Sequence, residues 1–223
     1  MSAPRQITWN GWHVPFIAPW SHETPRAGTI VRASRGAGIA YADELDVVDR
    51  RNGTLWVRWS ALRGAGRPHL GGVHPLRQRQ AMSHMLCQVC AASTYGDAFS
   101  RWGGRHLFLV RADQGQEIRD GETTATPPIC EPCAAESVRA CPELGKGYTA
   151  ALVERPQPWG VAGIPYNPRT LAPAPAPKTR DGLTFVNYED PRLPWTLAAR
   201  DVVTLLGCTP VDLDRLAAHG VTV

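Results

Sequence analysis

Cys87-Gln88-Val89-Cys90 and Cys130-Glu131-Pro132-Cys133, two C-x-x-C pairs separated by 39 residues, decide how this 223-residue chain is read. A C-x-x-C turn aims two thiolates at a point about 2.3 Å from each sulfur, and two such turns complete the tetrahedral shell of a structural Zn²⁺. The interval is long, but doubling a loop costs only about 0.6 kcal/mol. Metal affinity in small zinc modules is roughly 10–16 kcal/mol, so the spacing is permitted. One structural Zn²⁺ is therefore expected on Cys87, Cys90, Cys130 and Cys133. His84 has ligand-like spacing from Cys87 but is surplus to four thiolates. Cys141 lies eight residues beyond Cys133, about 12 Å along a helix at ~1.5 Å per residue, and is out of reach. Cys208 reads as a small buried residue. A redox role for Cys130 and Cys133 at a helix start is the weaker reading, because the partner C-x-x-C argues for metal.

Composition sets the surroundings. Twenty Pro and 21 Gly imply a loop-rich build, and three segments are expected. Residues 1–80 would form an N-terminal arm and small β-sheet with a basic segment, residues 81–147 the zinc module, and residues 148–223 strands, a Pro-rich spacer and a helix. No apolar run has the length of a signal peptide or a membrane span, so a cytoplasmic protein with no membrane partner is expected. In that reducing compartment six cysteines favour metal over disulfides.

Charge is informative by position. Residues 50–96 hold seven Arg and no acid, whereas residues 1–49 carry a net −1 and residues 97–223 a net −2; the block supplies the whole excess of +4. Such a block is either a solvated basic face or an anion-binding surface. The candidate phosphate contacts are Arg63, Arg67, Arg77 and Arg79. Thr54 to Trp59 reads as a strand whose alternation sets Leu55, Val57 and Trp59 on one face and Trp56 with Arg58 on the other, making Trp56 and Arg58 a candidate nucleic-acid platform.

Other elements follow from local pattern. Trp9 to Trp20 reads as an extended arm whose prolines exclude a helix. Thr29–Ala33 and Ile39–Ala42 read as strands, and residues 74–86 as a helix with Pro75 in its first turn. Leu107–Arg111 reads as a strand, Ala134–Ala140 as a helix, and residues 148–154 and 183–188 as strands. Residues 171–177, of Ala-Pro repeats, form a semi-rigid spacer. Leu193 to Leu206 is expected to be a helix packed through Trp195, Ala198, Ala199, Val202, Val203, Leu205 and Leu206, capped by Gly207.

A knuckle, a β-hairpin and a helix whose first turn supplies the last two ligands is the order of the treble-clef and zinc-ribbon type of finger, which residues 84–142 resemble. The likeness implies zinc on the four cysteines and no particular activity. The run from Trp12-His13-Val14-Pro15 to Cys208-Thr209 also resembles a group of proteins from GC-rich bacteria, and that likeness implies no site beyond the cysteines. Residues 205–220 resemble a helix-turn-helix, but Asp212 and Asp214 oppose a recognition helix facing phosphates. The fold class expected is α+β: a small antiparallel sheet, a treble-clef zinc finger and a C-terminal helical segment.

Three functions are compatible. The first is a non-catalytic zinc protein that binds DNA or RNA through its Arg-rich face. The second is a zinc-stabilised module for a protein partner or for regulation. The third is an HNH-like metal-dependent nuclease, for which His106 could serve on the hairpin; Ala134–Ala140 offers no second histidine.

Overall fold

The computed structural model describes residues 6–34, 36–112, 116–179, 181–213 and 216. A short hairpin comes first, β1 (Thr8–Trp9) against β2 (Trp12–His13), turning at Asn10-Gly11 with φ of +52° and +82°. Asn-Gly suits that turn because both residues tolerate positive φ. β3 (Ile30–Arg32) pairs antiparallel with β4 (Ile39–Tyr41). Then follow α1 (Asp46–Asp49), β5 (Arg50–Arg51), β6 (Thr54–Trp56), α2 (Pro75–Ser83) and α3 (Asp97–Arg101). The rest is β7 (His106–Arg111), β8 (Thr123–Thr124), α4 (Glu131–Ala140), β9 (Tyr148–Pro165), β10 (Thr184–Asn187) and β11 (Thr196–Pro210).

Seven of these strands form one mixed sheet in the order β10-β9-β11-β6-β5, with β7 also on β9 and β8 also on β11. β6 runs parallel to β11 and the other pairs are antiparallel. Of the expected small antiparallel sheet, β3 and β4 form a two-stranded pair of their own, while the third strand, β6, belongs to the larger mixed sheet. The C-terminal helix over residues 193–206 is overturned: only Leu193–Trp195 makes a 3-10 turn, and Thr196–Pro210 is β11. The reason is burial on both faces. Residues 196–199 and 201–203 of β11 are buried in succession, so both faces are covered, and such a strand reads as a continuous apolar run, which periodicity does not separate from a buried helix. With that helix goes the first half of the helix-turn-helix. For the second half, residues 214, 215 and 217–220 lie outside the described residues, although the Leu216 N–H donates to the Asp212 carbonyl at 2.9 Å.

β9 runs through Pro156, Pro158 and Pro165, a composition that usually excludes a central strand. Its neighbours resolve this. β7 pairs with residues 148–153 of β9 and β10 with residues 160–163, and the Trp159 carbonyl accepts from the Tyr188 N–H at 3.1 Å just beyond β10, leaving residues 154–158 with no strand but β11. Pro156 and Pro158, two residues apart, therefore place their missing donors on a stretch of open edge. Further along, Gly160 and Gly163 allow close backbone approach. A Cβ at Gly160 would stand 2.1 Å from the Val186 carbonyl oxygen, and one at Gly163 would stand 2.4 Å from that of Leu197.

The two faces of the β7–β9 pair carry different cores. Leu107, Leu109, Ala150 and Leu152 face the cysteines, while the alternate residues Phe108, Ala151 and Val153 face Met82 and Met85 at the end of α2. α2 is locked to β11 by Gln78, whose buried amide donates to the Asp201 carbonyl (2.9 Å) and accepts from the Asp201 N–H (3.0 Å). The same amide nitrogen donates to the Ala125 carbonyl at 2.7 Å. Between the β6 contact at residues 197–198 and the β8 contact at 203–204, the side chain takes the place of a neighbouring strand. Gln78→Leu should therefore lower stability by about 2–4 kcal/mol, since each buried group left unpaired costs about 1–3 kcal/mol. Urea unfolding monitored by tryptophan fluorescence measures this, and a loss under about 1 kcal/mol would contradict the role given to the amide.

Candidate metal centre

Three stretches of backbone bring the cysteines to one point. After α2, Met85 at φ +46° turns the chain into the first knuckle. The Cys87 N–H donates to the Ala92 carbonyl and the Ala91 N–H to the Cys87 carbonyl, both at 2.8 Å. Gln88 ties this knuckle to the second: its backbone N–H donates to the Pro128 carbonyl (2.9 Å) and its side chain to the Pro127 carbonyl (3.1 Å). The Ile129 N–H donates to the Leu107 carbonyl at 2.9 Å, which fixes the approach to α4 on the sheet. Cys130 then caps α4 and Cys133 sits in its first turn, where Pro132 is tolerated because first-turn N–H groups have no intrahelical partner. The N-terminal arm closes over the knuckle through Phe16 and Ile17, whose N–H groups donate to Val89 (2.8 Å) and Gln88 (3.2 Å). His13 Nδ1 lies 2.7 Å from Glu136 Oε2 of α4.

The four Sγ atoms lie within 4.8 Å of one another, and those of Cys90 and Cys130 are 3.7 Å apart. A tetrahedral zinc site with ~2.3 Å bonds has sulfur–sulfur edges of about 3.8 Å, so the donors fit that ion. Cys87 and Cys133 are buried, and Cys90 and Cys130 half-buried. Four thiols around one point compete for charge. Hydrogen bonding from Cys130 pulls Cys90 toward the thiolate and hydrogen bonding from Cys133 does the same for Cys130, helped by the Ala92 and Cys133 amides. Hydrogen bonding with Cys130 in turn pushes Cys87 and Cys133 up. A divalent cation removes the conflict, and the N-terminus of α4 adds partial positive charge. Cys141 and Cys208 stand outside the cluster. The two C-x-x-C pairs meet at one point as expected, but the hairpin of the expected finger is not formed by β7, which pairs with β9.

The arginine block does not form a bare basic face. Arg77 is buried, with Nη1 2.6 Å from Glu23 Oε1 and Nη2 2.6 Å from Oε2. Burial pushes Glu23 up, but hydrogen bonds from Arg77 and the Trp20 amide outweigh it and leave its pKa lowered. Arg77 is therefore corrected from phosphate contact to core ion pair. Arg58 binds Asp49 (2.7 Å) and Asp43 (2.9 Å) and covers the Tyr41 ring, and its hydrogen bond holds Asp49 below the usual carboxylate range. Arg50 pairs with Glu44, and Arg51 lies 3.5 Å from Asp201. Arg63 stands over the Phe16 ring, and Arg79 over that of Trp56 at 4.6 Å. Arg67 is exposed. Trp56 is only 4% exposed and packs on Val161, Val186 and Ala198, so its face is core and its ring, covered by Arg79, offers no stacking platform. Trp56, Arg58 and Arg79 do line one cleft, of about 710 Å³, together with Arg26, Trp59, Asp43 and Asp49.

His106, considered for a nuclease, opens β7 and is 3% exposed. The Thr94 hydroxyl donates to the Met85 carbonyl (2.7 Å), so at 2.8 Å it accepts from His106 Nδ1–H. Tyr95 and Phe99 each lie 4.7 Å from the imidazole ring, and burial pulls its pKa down to about 4. Gln78, Glu23 and Asp201 escaped the sequence reading; a buried Gln or carboxylate leaves no local signature.

Among the described residues the four cysteines are the one group of three or more His, Cys, Asp or Glu placed to share an ion, and no helix is long and apolar enough to cross a membrane. Comparison with family models, curated proteins and solved structures returned no match.

Two outcomes are expected here. Protein purified under reducing conditions should carry one zinc ion per chain by elemental analysis, and Cys130→Ser should lose the metal along with the cooperative thermal transition; full metal content in that variant would overturn the ligand set. For His106, a folded pKa near 4 lies below the unfolded value of about 6.5. The unfolded state then binds more protons as pH falls through this window, so stability present at pH 7 is progressively lost, by about 2 kcal/mol at pH 5. Urea unfolding at the two pH values should show that loss in wild type and a loss smaller by about this amount in His106→Gln.

Proposed function

We propose that this chain is a zinc-stabilised, non-catalytic binding module of the interaction or regulatory kind. Cys87, Cys90, Cys130 and Cys133 would hold the ion with no coordination position left open, so that zinc supplies folding energy and no reactive water. The observation that carries the reading is the employment of the arginine block. Four of its seven arginines are paired with carboxylates from other segments (Glu23, Glu44, Asp43 with Asp49, and Asp201), and two more lie on aromatic rings. Charges spent inside the fold are not offered to phosphates. What the surface offers instead is apolar: Leu45, Val47 and Val48 are exposed around α1, Val47 by 94%. Against the nuclease reading, His106 Nδ1 is committed to Thr94, and α4 carries no histidine.

A specific observation favours nucleic acid as the second reading. Arg79 has no carboxylate partner among the described residues, and it lines the cleft with the exposed Arg26. Two phosphate contacts there would give log K against log salt a slope of about −1.8 on duplex DNA.

Fluorescence titration with single-stranded and duplex DNA at low salt separates the two. The proposed function requires no saturable binding. Saturable binding with a slope of about −1.8, flattened by about one unit in Arg79→Ala, would replace it with the second reading.

A further inference from the structure

A cavity of about 470 Å³ lies where α2 crosses the sheet beside the open stretch of β9. Pro156 and Pro158, which interrupt strand pairing there, line one side, and Met82, Met85, Tyr95 and Phe99 line another. Two side chains that are almost entirely buried give it polar ends. Asp201, 9% exposed, has Oδ2 3.1 Å from the Ser83 hydroxyl, whose proton it shares with the Arg79 carbonyl (2.7 Å), and 3.5 Å from Arg51 Nη1. Its Oδ1 has no protein partner among the described residues. His106 has committed Nδ1–H to Thr94, which leaves Nε2 an unprotonated acceptor, also without a protein partner. Of the donors at the cavity wall, Arg51 is engaged with Ser83 (2.7 Å) and Asp201, while Thr54 Oγ1 and Trp56 Nε1 have no hydrogen-bond partner but are sealed from solvent and so out of a ligand's reach. The charged lining residues are Arg51, Asp201 and Glu154, a net −1 with neutral His106.

We propose that this cavity binds a small organic amine, an ammonium or amidinium group on a hydrocarbon body, with Asp201 Oδ1 and His106 Nε2 accepting its N–H groups. Acceptors that no protein group uses, set among apolar and aromatic side chains, select a donor, because a hydrogen bond with a charged partner is roughly twice as strong as a neutral one. The rest of the wall suits the same ligand: aromatic faces attract a cation, and methionine sulfur adapts to a hydrocarbon chain. The volume is that of a small-molecule site. The inference deepens the binding-module reading and rests on it.

The test uses the zinc-loaded full chain and 2-phenylethylamine, with 2-phenylethanol as a neutral ligand of the same shape. Calorimetric titration at pH 7.5 should show saturable binding of the amine, about tenfold or more weaker binding of the alcohol, and a similar weakening in Asp201→Asn. Arg67→Ala should bind as wild type. In the wild-type protein the methyl NMR signals of Met82 and Met85 should shift with the amine, a readout that holds even if Asp201→Asn fails to fold. Equal affinity for the alcohol, undiminished binding in a folded Asp201→Asn protein, or unmoved methionine signals would each overturn the proposal. Such a failure together with silent DNA titrations would leave the binding-module reading in place, whereas saturable DNA binding would remove that reading itself.

Discussion

Convergence of four cysteine sulfurs on one point is the constraint on which the rest of this structure depends. The knuckle after α2 and the start of α4 are far apart in sequence, and both lie on the same face of the β7–β9 pair. Cys87 and Cys133 are at once members of the four-cysteine cluster and core residues, packed with Val89, Trp102, Leu107 and Ile129. Strand alternation then propagates the arrangement. With Leu107 and Leu109 committed to the cysteine side, Phe108 must point to the other face, where it meets Met82 and Met85. The cysteine cluster and the α2 packing are therefore two sides of one register, and an ion held there would add its binding energy to that of a chain rich in Gly and Pro.

The arginine block serves the same end by different chemistry. A planar guanidinium can satisfy a buried carboxylate with two parallel hydrogen bonds, and Arg77 with Glu23 and Arg58 with Asp49 do so. Glu23 also accepts from the Trp20 and Leu62 amides, so this one carboxylate joins the N-terminal arm, the loop before α2 and α2 itself. Such pairs add little net stability over apolar packing, yet breaking one leaves a charge buried alone, and they fix which segments meet. A positive block in sequence thus becomes a set of internal joints.

How much of this was legible follows from the range of each interaction. The cysteines, β3, β4, α2 and α4 were readable because their signals are local: ligand spacing, β-branched runs, and a proline in the first helical turn. β11 was not, because a strand buried on both faces loses its alternation and imitates a helix. In sequence β9 ends at Glu154, because Pro156 and Pro158 speak against a strand until the gap between β7 and β10 is known. The arginine block misleads for a related reason. The arginines' partners lie outside the block, 54 residues away for Glu23 and Arg77. Gln78 stands 123 residues from Asp201, and nothing in its own neighbourhood marks it as a substitute strand.

The central claim is that the thiolate site and the sheet form one cooperative unit. Hydrogen–deuterium exchange of the backbone amides in β7 and β9, with and without a zinc chelator under reducing conditions, addresses it most directly. If the claim holds, chelation strips protection from Leu107, Leu109 and Leu152 and, through the shared register, from Phe108 and Val153 on the opposite face. Retained protection across both strands in metal-free protein would show that the sheet stands without the site, contradicting the claim.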